Sequence, residues 1–251
     1  KQLKFEKNKG KIVEFDETLI TEESNIIQLS PGALGGKGRG LAFIHTLIYN
    51  FDISHYVPGI NIKAPRTFII GTNEFEDFLD NNRLRNRIYS ETSYDKIKEL
   101  FIGGKLSAPL INKLRIILGQ IRKPLAVRSS GLFEDSLMQP FAGIFETYLL
   151  PNSNSDIEIR LTQLTEAIKL VYASIYSDTA RGYINAINYK IEEEKMAVII
   201  QEVVGEQYEE FFYPHISGVS QSYNYYPYGH MQPEDGFAVL AVGLGTYVVE
   251  G

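Results

Sequence analysis

Leu125-Ala126-Val127-Arg128-Ser129-Ser130 is a short apolar run that ends in an arginine and two hydroxyls. Three buried-type residues in a row predict a short strand, and Pro124 stops the helical pattern before it. An arginine at the end of a buried strand presents a fixed, planar guanidinium, whose paired donors suit a phosphate. The alternative is a structural ion pair with Glu134 or Asp135 in the loop that follows. That loop, with Pro140, leads into a second predicted strand over residues 144–150.

Upstream, Leu110, Ile111, Leu114, Ile117 and Leu118 form an i, i+1, i+4, i+7, i+8 stripe, which predicts an amphipathic helix. Residues 66–71 read as a buried strand, with Thr72 or Asn73 as the cap of a helix carrying Phe75, Phe78 and Leu79. Before that lies Ser30-Pro31-Gly32-Ala33-Leu34-Gly35-Gly36-Lys37-Gly38-Arg39-Gly40. Its five glycines predict a loop with a backbone path that side chains would forbid. It feeds a helix beginning near Leu41, and a glycine loop at a helix N-terminus favours anions. Residues 1–30 are mostly polar, and Ile12, Val13 and Phe15 suggest one opening strand.

Downstream, the longest helical signal starts near Asp156 and carries Leu161, Leu164, Ile168, Val171 and Ile175. It runs to Asn185 or breaks near Gly182. Glu192-Glu193-Glu194 closes the helical half. Residues 196–204 then read as a strand, and the composition shifts to strands and aromatics at 211–213, 217–219, 223–228 and 237–242. The expected fold is mixed α/β of the α+β kind. It comprises an N-terminal extension (1–30), a helix-rich lobe (31–190) and a β-rich segment (191–251).

The 251 residues suffice for one large domain or two lobes, and 44% hydrophobic with 22% charged residues is an ordinary globular mixture. A net charge of −6 argues against a chain-wide grip on nucleic acid. The absence of cysteine excludes disulfides, thiol nucleophiles and zinc–thiolate sites. No apolar run is long enough to span a bilayer, and no signal-peptide pattern is present, so a cytoplasmic protein without membrane partners is expected.

The glycine segment is not a P-loop. That motif needs Gly where Pro31 stands and Ser or Thr where Gly38 stands. Nor does its spacing fit a dinucleotide fingerprint, and no strong strand is evident before it. What remains is a glycine-rich anion nest around Lys37, or a surface loop with an incidental lysine. His45, His55, His215 and His230 show no metal-ligand spacing. Tyr223 to Tyr228 reads either as strand packing or as a stacking platform for bases or sugars.

Three motifs taken in order change this picture: Gly35-Gly36-Lys37-Gly38; then Val127-Arg128-Ser129-Ser130 with Glu134-Asp135-Ser136 and Phe141-Ala142-Gly143-Ile144-Phe145-Glu146-Thr147; then 197–204 with Ser217-Gly218-Val219 and Gly243-Leu244-Gly245. From about Leu34 onward the chain resembles the N-terminal ATP-binding domain of the phosphoenolpyruvate synthase/pyruvate phosphate dikinase family, which also occurs in rifampin phosphotransferases and glucan, water dikinases. The resemblance implies an ATP-grasp-like fold of two lobes, the second incomplete here, with ATP and Mg2+ between them. It places the phosphate-gripping catalytic roles on Lys37 and Arg128. Gly36, Gly38, Ser129, Gly143, Glu146 and Thr147 would line the phosphates. Gln201, Glu202, Val203 and Val204 would hold adenine. The partners implied are phosphohistidine and pyruvate- or phosphoenolpyruvate-binding domains of a parent protein. None of the four histidines has a phosphohistidine-like setting, and a barrel would need about 250 residues alone, so the chain reads as a fragment.

One departure stands out. After Gly-Leu-Gly the family usually has a glutamate that helps position magnesium, and here the place is taken by Thr246. Glu250, four residues on, shares a face with Thr246 in either a strand or a helix; the two are the candidate metal ligands, and the resemblance leaves open whether Glu250 compensates for the missing glutamate. Two functions follow: the ATP-binding domain of a phosphotransferase that phosphorylates a histidine on another domain, or a degenerate, non-catalytic module for ligand sensing or protein interaction.

Overall fold

The computed structural model describes residues 11–20, 26–51, 58–132, 143–187 and 189–245. The chain divides into two units, residues 1–202 and 203–251.

The first unit is organised by a six-stranded sheet. Its strands are β1 (Ile12–Glu14), β2 (Ile26–Ser30), β3 (Thr67–Ile70), β4 (Leu125–Gly131), β5 (Thr147–Leu150) and β6 (Met196–Glu202). The spatial order is β1-β2-β3-β6-β4-β5. The first three run parallel. β6 is antiparallel to both β3 and β4, and β5 is antiparallel to β4.

Two sequence expectations change here. The segment before the glycines does contain a strand: β2, whose five residues were masked by the polar composition around them. The apolar run at 196 belongs with the first unit rather than the β-rich segment. Pairing on both sides puts β6 inside the sheet, which is why residues 196–200 are all buried.

Among the described residues the α-helices are, in chain order, α1 (Gly35–Asn50), α2 (Thr72–Asn81), α3 (Arg85–Ser90), α4 (Tyr94–Gly103), α5 (Ala108–Gln120), α6 (Ile157–Ala173) and α7 (Asp178–Ala186). The stripe foreseen at residues 110–118 lies on α5, with Leu110, Leu114, Ile117 and Leu118 buried. Ser107 caps α5 by accepting from Leu110 N at 3.3 Å, and Asp156 caps α6 by accepting from Glu158 N at 2.8 Å. The long helical signal breaks at a short turn, Ser174–Tyr176, and restarts at the Ser177 cap, ahead of Gly182. Gly71, not Thr72 or Asn73, caps α2. Thr72 Oγ1 instead accepts from Ala33 N at 3.0 Å, tying the segment before α1 to α2.

The two sheet faces differ. Ile27, Leu29, Phe68, Ile70, Leu125, Val127, Val198 and Ile200 point into the main core with Phe75, Phe78, Phe101, Leu114, Leu164 and Tyr172 of the helices. Alternation sends Ile26, Ile69 and Ile199 to the other face, where Leu34, Leu41 and Ala42 pack on them. Arg160 of α6 is buried in the core layer. Its Nη1 donates to Leu118 O, Ile121 O and Asn152 Oδ1, fastening the end of α5.

The second unit holds two antiparallel pairs: β7 (Glu206–Tyr208) with β8 (Phe211–Tyr213), and β9 (Ile216–Gln221) with β10 (Phe237–Val242). Residues 223–228 form no strand. The segment carries Asn224 and Pro227, and Asn224 Oδ1 accepts from Tyr226 N, an Asx-type turn.

Candidate functional site

The site grows from the contact between α1 and β4. Gly35 opens α1 with φ of +72°, and a side chain there would meet Ser130 O at 1.9 Å. Only glycine allows this approach. Ser130 then fastens the helix: its hydroxyl donates to Leu34 O at 2.7 Å and accepts from Gly38 N at 3.0 Å. Gly35 and Gly36 are therefore the first turn of α1, not a loose loop before it. A helix start leaves backbone N–H groups without intrahelical acceptors and carries the positive end of the helix dipole.

Lys37 extends from this turn, with Nζ 3.5 Å from Ser129 Oγ. Both serines of β4 are fully buried. Arg128 alternates with core-facing Val127, so it lies on the α1 side of the sheet, with Ile199 of β6 and Thr147 of β5 as its neighbours in register. Arg128 Nη1 is 3.5 Å from Gln201 Oε1. Gln201 Nε2 donates to Thr67 Oγ1 at 3.0 Å, and Thr67 in turn donates to Pro65 O at 2.8 Å. One polar track thus crosses β3, β6 and β4 on the face that α1 shares.

Arg128, Thr147 and Gln201 share this side of the sheet, Gly36, Lys37 and Gly38 lie in the first turn of α1, and Ser129, next along β4, alternates to the side of Val127 while staying within reach of Lys37. The structure takes other sequence candidates elsewhere. Glu146 accepts from Tyr94 OH on α4 at 2.9 Å and from Tyr148 OH of β5. Tyr148 packs against the main core, so Glu146 turns away from the Arg128 side. Burial first, and then the Glu146 carboxylate, push both phenols well above the ordinary tyrosine range. Glu202, one residue after Gln201, faces the opposite way and pairs with Arg66 at 3.7 Å, both side chains largely buried. Val203 and Val204 belong to the second unit. Gly143 is exposed, with φ of +73°. Thr246 and Glu250 lie outside the described residues, as do Glu134, Asp135, Phe141 and Ala142.

Sequence reasoning did not single out Gly35, Ser130 or Thr67 as site residues. The first two were visible as part of their motifs. Thr67 carried no signal, because a threonine in a strand needs no further explanation.

A lysine and amides at a helix start held against β4, with an arginine on that same strand, are the kinds of group that suit a polyanion. The comparisons agree with this chemistry. The model of the pyruvate phosphate dikinase AMP/ATP-binding domain matches residues 32–251, and the chain belongs to that family. It is 29% identical over 193 residues to the uncharacterized phosphotransferase YvkC of Bacillus subtilis, covering 76% of this chain and 20% of that protein. It is 24% identical over 168 residues to the prodigiosin synthesizing transferase PigC of Serratia marcescens, covering 66% and 17%. It is 26% identical over 212 residues to the phosphoenolpyruvate synthase of Aeropyrum pernix, covering 76% and 24%. The chain thus spans about a fifth of the length of these relatives. The mixed α+β architecture fits the ATP-grasp-like domain, and nucleotide binding is the role the family supports. No helix among the described residues is long and apolar enough to cross a membrane.

Proposed function

We propose that this chain is the ATP-holding domain of a phosphotransferase that passes a phosphoryl group from ATP to a histidine on another domain. The observation that carries the reading is the Ser130 link, which holds the Lys37 helix against the strand bearing Arg128. Lys37 and Arg128 neutralise the phosphate oxygens, and the first amides of α1 add fixed donors. Phosphoryl transfer needs positioning and charge neutralisation more than covalent participation by the protein, and these groups supply both. Gln201 orients Arg128 from one side while Thr67 holds Gln201.

Magnesium, when bound, would neutralise further phosphate charge. Its proposed ligands are Thr246 and Glu250. Among the described residues no group of three or more His, Asp or Glu side chains is placed to hold a metal ion, so no step is assigned to it. The acceptor histidine and the domain for the final acceptor are proposed from the relatives named phosphotransferase and phosphoenolpyruvate synthase.

The test is thermal unfolding with Mg–ATP, ADP, AMP and GTP on wild type, Lys37→Ala and Arg128→Ala. Ligand at ~100 times its Kd stabilises by about 2.7 kcal/mol, roughly 5–10 °C for a chain of this size. The expected result is an adenine-specific shift that both substitutions remove. No shift in wild type at millimolar nucleotide would favour the non-catalytic module instead.

A further inference from the structure

A second cavity of about 400 Å³ lies at the carboxyl ends of β1 and β2, lined by Glu14, Phe15, Gln28, Lys113 and the turn at residues 30–32. Its size falls in the ~300–1,000 Å³ range of small-molecule sites, and the carboxyl ends of parallel strands are where open sheets take ligands. It involves neither Lys37 nor Arg128.

Two of its walls carry opposite charges that have no ionic partner among the described residues. Lys113 of α5 donates to Leu29 O and stands 5.6 Å from the centre of the Phe15 ring, but it meets no carboxylate. Glu14 is exposed at the end of β1 and meets no cation. Gln28, also in the lining, commits its amide nitrogen to Ser30 O at 2.9 Å and Gly32 O at 3.3 Å, and its Oε1 is the acceptor that this leaves. The cavity therefore offers a cation, an anion, a neutral acceptor and one aromatic ring.

We propose that this cavity binds a small zwitterion of the α-amino-acid class. The ligand carboxylate pairs with Lys113, its ammonium pairs with Glu14 and Gln28 Oε1, and its apolar side chain lies along Phe15. A simple anion would leave Glu14 opposed to it, and a simple amine would leave Lys113 opposed to it. Only a ligand bearing both charges satisfies both walls.

The test is isothermal titration of the 251-residue chain with L-leucine and L-phenylalanine. Isocaproate serves as leucine without its amine, and isoamylamine as leucine without its carboxylate. The expected result is saturable millimolar or tighter binding of an amino acid, with each half-molecule at least about tenfold weaker. Glu14→Gln and Lys113→Gln should weaken amino-acid binding by a similar factor, and Lys113→Gln should also lower the unliganded Tm because it gives up the bond to Leu29 O. Isocaproate binding as tightly as leucine would overturn the proposal, as would substitutions without effect or no amino-acid binding in the millimolar range. The half-molecule comparison uses wild type alone, so it decides the matter even where a variant folds poorly.

Discussion

Ser130 and Gly38 are joined by a 3.0 Å hydrogen bond from the Gly38 amide to the buried Ser130 hydroxyl. That hydroxyl donates in turn to Leu34 O at 2.7 Å. The first turn of α1, which carries Lys37, is thus fixed to the strand that carries Arg128.

Ser130→Ala should therefore cost more than a lost hydroxyl. It leaves Leu34 O and Gly38 N without their partner in a buried setting, at about 1–3 kcal/mol for each group. Gly35→Ala should cost at least as much, because φ of +72° and a 1.9 Å approach to Ser130 O leave no room for a methyl group. Urea denaturation at constant m value measures both. A loss under about 0.5 kcal/mol for either would mean that α1 is not anchored through Ser130.

Gln201 was assigned from family resemblance to the adenine side, whereas its bonds run to Thr67 and Arg128. Gln201→Ala should weaken ATP and inorganic tripolyphosphate alike, roughly three- to tenfold for one hydrogen bond of about 1 kcal/mol. Titration calorimetry with the two ligands separates the roles. Selective loss for ATP, with tripolyphosphate unaffected, would return Gln201 to the base.

What could be read from sequence depended on periodicity. The stripe on α5 and the helix start near Asp156 use rules local to a few residues, and they emerge as expected. Strand partners are non-local: nothing in residues 196–202 says that they pair with β3, 128 to 134 residues back, and with β4, 65 to 77 residues back. The site was legible as residue types but not as faces. Strand alternation decides that Arg128 and Gln201 share a side while Glu202 does not. The parity becomes known only once Val127 and Ile200 are seen in the main core. Tyr223 to Tyr228 misled because tyrosine favours strands, while Asn224 and Pro227 turn the chain.

Alkaline pH should destabilise the first unit. Burial, followed by the Glu146 carboxylate, raises Tyr94 and Tyr148 above the ordinary value of 10.0, and burial pushes Tyr189 up to about 12. A raised folded-state value means that the unfolded chain ionises first. The stability these phenols contribute is complete below pH 10 and declines as pH rises toward their folded values. The combined Tyr94→Phe and Tyr148→Phe variant should lower the slope of stability against pH above 10. Tyrosinate absorbance and denaturant titrations across that window provide the check. An unchanged slope would mean that both phenols ionise as freely in the folded chain as in the unfolded one.

The two units should also differ in hydrogen exchange. β4 and β6 are paired on both sides and carry fully buried residues such as Val127, Val198 and Ile200, so their amides should open only with the unit as a whole. Among the described residues β9 and β10 pair only with each other, and Leu240 and Val242 are 69% and 92% exposed. An isolated two-stranded pair is marginal in water, so its amides need only local opening. Exchange followed by mass spectrometry should show residues 216–221 and 237–242 exchanging about a hundredfold faster or more than 196–202, a factor corresponding to roughly 2.7 kcal/mol. Equal protection would mean that β9 and β10 are stabilised as strongly as the central sheet, against their exposure.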